Sequence, residues 1–287
     1  MMKSEVNVDE RSILPPVYRD IEDLVRIDRL PTIWCPGCGI GIVLKLLLKA
    51  IKNSGIDVEK HVVVSGIGCT GRFAGYVRLD GYHVLHGRAI PFAIGLKLAK
   101  PELEVTVVSG DGDIVGIGGN HFIHAARRNH DINVVIVNNM NYGMTGGQLA
   151  PTTPRGAKTT TTPYGNIEAS FNIPFLAIAA GATYVARWTV MHVQQLYNSF
   201  IKMFRHKGFA VVEVLSPCTV FAARNGMDII QLYDILRKRS RYVKNPDPRD
   251  AGIDLNSEKP IIIGEFIEIE SPSYEELLWK KIREIMG

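Results

Sequence analysis

Asp111 stands between two glycines at the end of a β-branched run, residues 104–109, and Asn138-Asn139 closes the next such run, residues 132–137. Glycines let the main chain come close to a phosphate, and the N–H groups at a following helix start can hold its oxygens. A diphosphate beside a carboxylate calls for a divalent cation between them, and Mg2+ takes hard oxygen ligands. Asp111 would supply one ligand, the side-chain amide oxygen of Asn139 a second and the backbone carbonyl of Asn141 a third. Asn139 follows Asp111 by 28 residues. That is about one helix plus one strand, which returns both groups to the same sheet edge. Gly-Asp-Gly alone is a common turn, and a lone Asn-Asn is weaker still. The two together, each after a strand, carry far more weight.

The four cysteines are Cys35, Cys38, Cys69 and Cys218. In a reducing compartment so few, with one C-x-x-C pair, point to metal or redox chemistry before disulfides. Four thiolates suit a 4Fe–4S cluster or a structural Zn2+. Zinc modules usually bring two C-x-x-C knuckles, and only Cys35 and Cys38 are close in sequence. Spacing alone leaves both open.

The elements that must position these groups alternate. A helical pattern from Gly39 to Gly55 precedes the buried run 61–68, which ends in glycines. A helix follows Arg88 and stops at Lys100-Pro101, and another covers about 118–129. A strand at 183–187, a helix at about 190–206 and a strand at 209–215 come next. Strands alternating with helices predict an α/β fold, a parallel sheet with helices on both faces and ligands at the strands' carboxyl edge. Residues 146–165 form a Pro/Gly/Thr-rich loop with four consecutive threonines, Thr159 to Thr162. Long loops of this kind are more often functional than idle. Near the end, a strand at 261–269 precedes a helix opened by Ser273 and Glu276 as a capping box.

Composition narrows the function classes. The chain has 287 residues, enough for about two domains, and 33 basic against 29 acidic residues. A net charge of +4 argues against nucleic acid held by a basic stripe. With 46% hydrophobic and 22% charged residues, the chain is a folded globule and not disordered. The most apolar stretch, 173–186, is short of the ~20 residues a membrane span needs. The first dozen residues contain no apolar core of a signal peptide. A cytoplasmic location is the expectation.

Five segments together resemble a known family: WCPGCGIG, SGIGCTGR, HGRAIPFAIGLKLA, SGDGD and NNMNYGMTGGQLAPTT, and the resemblance covers about residues 33–219. They look like the β subunit of the 2-oxoacid:ferredoxin oxidoreductases, the 2-oxoglutarate type above all. The resemblance implies a thiamine-diphosphate-binding fold with thiamine diphosphate, Mg2+ and one 4Fe–4S cluster. The cluster ligands would be Cys35, Cys38, Cys69 and Cys218. Cys218 is followed by Thr219-Val220, where the family more often has Pro-Thr. Gly112, Asp113, Gly143 and Met144 would line the diphosphate. Ile67, Gly68, Cys69 and Thr70 would sit near the cofactor ring, with His86, Gly87 and Arg88 beside it. Arg72 would lie near the thiazolium, where a guanidinium can hold a second carboxylate; otherwise it pairs with an acid across a subunit contact.

The implied reaction is oxidative decarboxylation of a 2-oxoacid, 2-oxoglutarate first, with coenzyme A taking the acyl group and ferredoxin the electrons. The alternatives are a pyruvate or broad-specificity enzyme, a non-redox thiamine enzyme and a zinc-binding non-catalytic subunit. In the family the glutamate that activates the cofactor resides on the α subunit, so an α subunit, and possibly further small subunits, are expected partners. The division expected is an extension at 1–30, a cofactor domain at 31–230 and an arm at 231–287, both termini docking partners.

Overall fold

A computed structural model of the chain describes residues 15–255 and 257–287. Eight strands make one sheet: β1 His61–Ser65, β2 Asp80–His83, β3 Glu104–Gly110, β4 Asn133–Asn138, β5 Tyr184–Thr189, β6 Ala210–Leu215, β7 Ser240–Tyr242 and β8 Ile261–Glu268. Their order is β2-β1-β3-β4-β6-β5-β8-β7. All pairs are parallel except β5 with β8. The parallel sheet predicted from the alternation is therefore observed, with one antiparallel join.

Side chains alternate between two apolar layers, as strand geometry requires. Val63, Val108, Val135 and Val212 face one layer, and Val62, Val107, Val134 and Val211 the other. Strands buried on both faces read as continuous β-branched runs, which is why β1, β3, β4 and β6 were legible. β2 was not, because Asp-Gly-Tyr-His at an exposed edge carries no apolar signal.

Helices α1 Ile40–Lys52, α2 Ala89–Ala99, α3 Gly119–Arg128, α4 Ile173–Ala180 and α5 Val193–Arg205 cover the faces. In α1, Ile40, Val43, Leu44, Leu47 and Ile51 recur at helical spacing and are buried. Each contributes roughly 1.5–3 kcal/mol on burial. Lys49 and Lys52 in the last turn suit the helix dipole. Helices α6 Thr219–Arg224, α7 Ile229–Arg239 and α8 Tyr274–Met286 follow. The Ser273–Glu276 capping box at the start of α8 is formed.

The first fourteen residues of the expected N-terminal extension lie outside the described residues. The rest of it packs on the chain's own core: Ile21, Leu24 and Val25 are buried, and Val25 bridges Val77. The division expected at residue 231 passes through α7, and the segment beyond it adds β7 and β8 to the sheet. β8 can join because β5 would otherwise end the sheet with unpaired main-chain groups. Among the described residues no helix is long and apolar enough to cross a membrane.

The chain passes from β1 outward to β2 and then back across to β3. Loops after β1 and β3 thus leave in opposite directions, and this opens a crevice at the carboxyl edge.

Candidate active site

The loops after β1, β2, β3 and β4 line one cavity in that crevice. Its walls are Ile67, Gly68, Cys69, Thr70, His86, Gly110, Asp111, Gly112, Asp113, Asn139, Asn141, Tyr142, Gly143, Met144 and Thr145. Most of the residues expected to hold a cofactor are thereby brought together, from the loops after four different strands.

Asp111 is buried at the end of β3. Burial pushes its carboxyl up to about 6, while the Thr152 hydroxyl and the main chain of Asn139 and Gly112 draw it down. The Thr152 hydroxyl donates to Asp111 Oδ2. An acid held up in this way lacks a counter-charge, which a divalent cation would supply. Asn139 Oδ1 accepts from the main-chain N–H of Asn141 at 3.3 Å, and Asn141 Nδ2 donates to Asn139 O at 3.0 Å. The turn thus presents amide and carbonyl oxygens beside Asp111, the donor set that Mg2+ takes.

Two close approaches shape the cradle. A Cβ on Gly112 would meet the Tyr142 ring at 2.3 Å, so only glycine allows the ring to lie there. The Tyr142 hydroxyl donates to Gly112 O at 3.1 Å. A Cβ on Gly143 would stand 3.2 Å from Cys218 Sγ, which brings the cysteine site against the wall of the cavity.

Asp113 was expected beside a diphosphate. It lines the cavity, but protein donors take both of its oxygens. Oδ1 is bonded to His86 Nδ1 and accepts from Gly87 N at 2.8 Å and Ile67 N at 3.1 Å. Oδ2 accepts from Ser109 Oγ at 2.9 Å. Asp113 is the peg that ties the loops after β1 and β2 to β3.

The cysteines come from three segments. Trp34 Nε1 donates to Cys69 O at 2.8 Å, and this joins the Cys-Pro-Gly-Cys loop to the loop after β1. Burial pushes the Cys38 thiol up to about 12, with Cys218, Cys69 and Cys35 pushing the same way. Burial pushes Cys69 up to about 11, helped by Cys218 and Cys35. The four sulfurs therefore share one field. Ser216 Oγ is buried without a partner beside Gly39, a hydroxyl free to bond a cluster sulfur. Four thiols from three segments fit a metal centre by donor type. Among the described residues no three His, Cys, Asp or Glu side chains already stand close enough to hold a metal ion.

Residues 66–214 match the family model of the thiamine pyrophosphate enzyme C-terminal, TPP-binding domain. The chain is 47% identical over 268 residues to the 2-oxoglutarate synthase subunit KorB of Methanocaldococcus jannaschii, covering 91% of this chain and 96% of the relative. It is 46% identical over 203 residues to a 2-oxoacid:ferredoxin oxidoreductase subunit beta of Saccharolobus solfataricus, covering 70% of this chain and 66% of the relative. The chain belongs to the β-subunit family of the 2-oxoacid:ferredoxin oxidoreductases. A solved member of that enzyme class shares the fold. It is the 2-oxoglutarate:ferredoxin oxidoreductase of Magnetococcus marinus, with 2-oxoglutarate, coenzyme A and succinyl-CoA bound (TM-score 0.82, 32% identity, 92% of this chain and 90% of that one).

Of the residues carried over for the cofactor and the substrate, three stand outside the cavity walls. Gly87 is held behind Asp113. Arg88 lines a neighbouring hollow with Ile67, His83, Leu85 and Phe92. Arg72 lines another, with Arg26, Arg29, Tyr76 and His83. Three site residues were missed from sequence: Thr152 on Asp111, Ser109 on Asp113, and Tyr142. Tyr142 and Thr152 lie inside the family segment NNMNYGMTGGQLAPTT. Nothing in spacing links Thr152 to a partner 41 residues away.

Proposed function

We propose that this chain is the thiamine-diphosphate-binding β subunit of an enzyme that converts 2-oxoglutarate and coenzyme A to succinyl-CoA and CO2, with two electrons passed to ferredoxin. The observation that carries the reading is Cys69, which lines the cavity of Asp111 and Asn139 and also lies in the field of Cys35 and Cys218. The cofactor and the electron acceptor would therefore share one wall. The names of the relatives and the ligands of the Magnetococcus marinus enzyme support the substrate.

Bound thiamine diphosphate supplies an electron sink for decarboxylation, and a 4Fe–4S cluster takes electrons singly. Asp111, Asn139 and the Asn141 carbonyl would hold Mg2+, and the main chain at Gly112 and Gly143 would approach the diphosphate. Asp113 keeps His86 and the loop after β1 in place. Cys35, Cys38, Cys69 and Cys218 would hold the cluster. A zinc site would use the same thiols but would leave their placement beside the cofactor cavity without a purpose.

Among the described residues no glutamate is in the cavity walls, and the wall residues Ile67 and Met144 are exposed. Both features suit an α subunit that covers the cavity and supplies the activating carboxylate. The assembled enzyme is expected to reduce ferredoxin with 2-oxoglutarate and coenzyme A, and the chain alone to bind iron but not to turn over. Parallel assays with iron, zinc and thiamine quantification test this. Full activity of the chain alone, or zinc in place of iron, would refute it.

Arg72 is proposed to hold the distal carboxylate of 2-oxoglutarate from its neighbouring hollow, a charge that pyruvate lacks. Arg72 is exposed in the chain by itself, so the about 3 kcal/mol of a buried charge pair, about a hundredfold, applies where the α subunit covers that hollow. Arg72→Leu is expected to shift the ratio of kcat/KM for 2-oxoglutarate over pyruvate by that factor. An unchanged ratio sinks the assignment.

A further inference from the structure

Behind the Asn138-Asn139 turn lies a charge pair that the proposed chemistry does not use. Arg187 on β5 and Glu213 on β6 are register partners on adjacent strands, and both are fully buried. Arg187 Nε donates to Glu213 Oε2 at 2.6 Å. Its Nη1 donates to Ala251 O, and its Nη2 has no partner. Burying two charges costs several kcal/mol per ion, and well-packed apolar side chains often serve cohesion as well. Cohesion is therefore a poor reason for this pair.

The other oxygen of Glu213 gives a better one. Asn138 Nδ2 donates to Glu213 Oε1 at 2.7 Å. Asn138 Oδ1 accepts from Met140 N at 3.0 Å. A carboxylate can only accept, so the amide of Asn138 must turn its NH2 toward Glu213 and its oxygen toward Met140. Met140 has a left-handed backbone, φ 65°, unusual for its type. Its carbonyl accepts from Thr153 Oγ1 at 2.7 Å. The turn that carries Asn139 and Asn141 is thus clamped on both sides of Met140.

We propose that the Arg187–Glu213 pair positions the metal-binding turn, setting divalent-cation affinity through Asn138. Arg187 holds Glu213 in place, Glu213 fixes the Asn138 amide, and Asn138 fixes the turn. This rests on the reading of Asp111, Asn139 and Asn141 as cation ligands.

The test uses the assembled enzyme stripped of metal, with Mn2+ as the probe, titrated by electron paramagnetic resonance in the presence of thiamine diphosphate. R187M/E213Q removes both charges but keeps an acceptor for Asn138. R187M/E213L removes the charges and the acceptor. N138A leaves the ion pair intact and breaks the link. Mn2+ affinity is expected to fall about 10–100-fold for R187M/E213L and N138A, the range for lost outer-shell partners, and by a smaller factor for R187M/E213Q, whose amide can accept from Asn138 but can also flip to donate. If R187M/E213L does not fold, R187M/E213Q is read against N138A, and an unaltered affinity in R187M/E213Q overturns the role of the pair. Unaltered affinity in N138A overturns the proposal, as does an equal loss in the two double variants. If the unaltered enzyme binds no Mn2+, the cation site itself fails and this inference with it.

Discussion

Asp111→Asn is expected to make the metal-free chain more stable while abolishing tight cation binding. The two effects share one cause. Burial lifts the carboxyl from 3.8 to about 6, so at neutral pH the folded chain carries an ionised group at a cost of about 3 kcal/mol. An amide of the same shape removes the charge but keeps only one acceptor oxygen for Thr152 and the main-chain N–H groups of Asn139 and Gly112, so it recovers part of that cost. Cation binding loses a charge partner in a buried site, about 3–5 kcal/mol, or about a hundred- to several-thousandfold in affinity. The pH dependence follows from the direction of the shift. The folded state holds its proton more tightly than the unfolded state, so the metal-free chain gains stability as pH falls from about 6 toward 3.8 and loses it as pH rises through 6. Asp111→Asn should lack that part of the slope, and Mg2+ should flatten it in the unaltered protein. Thermal unfolding from pH 4 to 8, with and without Mg2+ and thiamine diphosphate, measures both. Equal slopes in variant and parent would remove the assignment.

Cys38→Ser should abolish electron delivery while leaving the cofactor cavity standing. The Cys38 thiol, pushed up to about 12 by burial and its three sulfur neighbours, stays protonated unless positive iron ionises it. Serine offers a harder donor that suits iron–sulfur coordination poorly. Iron content and brown colour are expected to fall together. Ferredoxin reduction should drop by more than the about 10–100-fold that a lost outer-shell partner costs. Cys38 is not among the cavity walls, so thiamine diphosphate affinity should change only a few-fold. A Cys38→Ser enzyme that keeps its iron and its ferredoxin reduction would show that this thiol is not a ligand. A collapse of cofactor affinity would show that the two sites are one unit.

The β-branched runs at β1, β3, β4 and β6 were readable because strands buried on both faces cannot hide their composition. The helix at α1 and the capping box at Ser273 and Glu276 were equally plain, since both depend on neighbours three or four positions apart. β2 and β7 were not readable. One is polar and exposed and the other is three residues long, so neither leaves a periodic trace. The placement of β8 against β5 was also illegible, because pairing between distant strands is set by which edge is left open.

The cofactor segments could be found in the same way. Asp111 and Asn139 sit at the ends of strong strands, and the sheet returns those ends to one edge. Residue types, strand order of appearance and the family pattern were thus determined by the sequence alone. Tertiary structure decided the partnerships. It gave Asp113, on the cavity wall, a further role as a peg for His86 and Gly87, set Thr152 on Asp111, and placed Arg72 in a hollow with Arg26 and Arg29. It also put Arg187 and Glu213 behind Asn138. Each of these is a contact between side chains from different elements, and its geometry depends on how loops cross once the sheet has formed. Spacing along the chain records which strand a residue ends, but not which neighbour its side chain meets there.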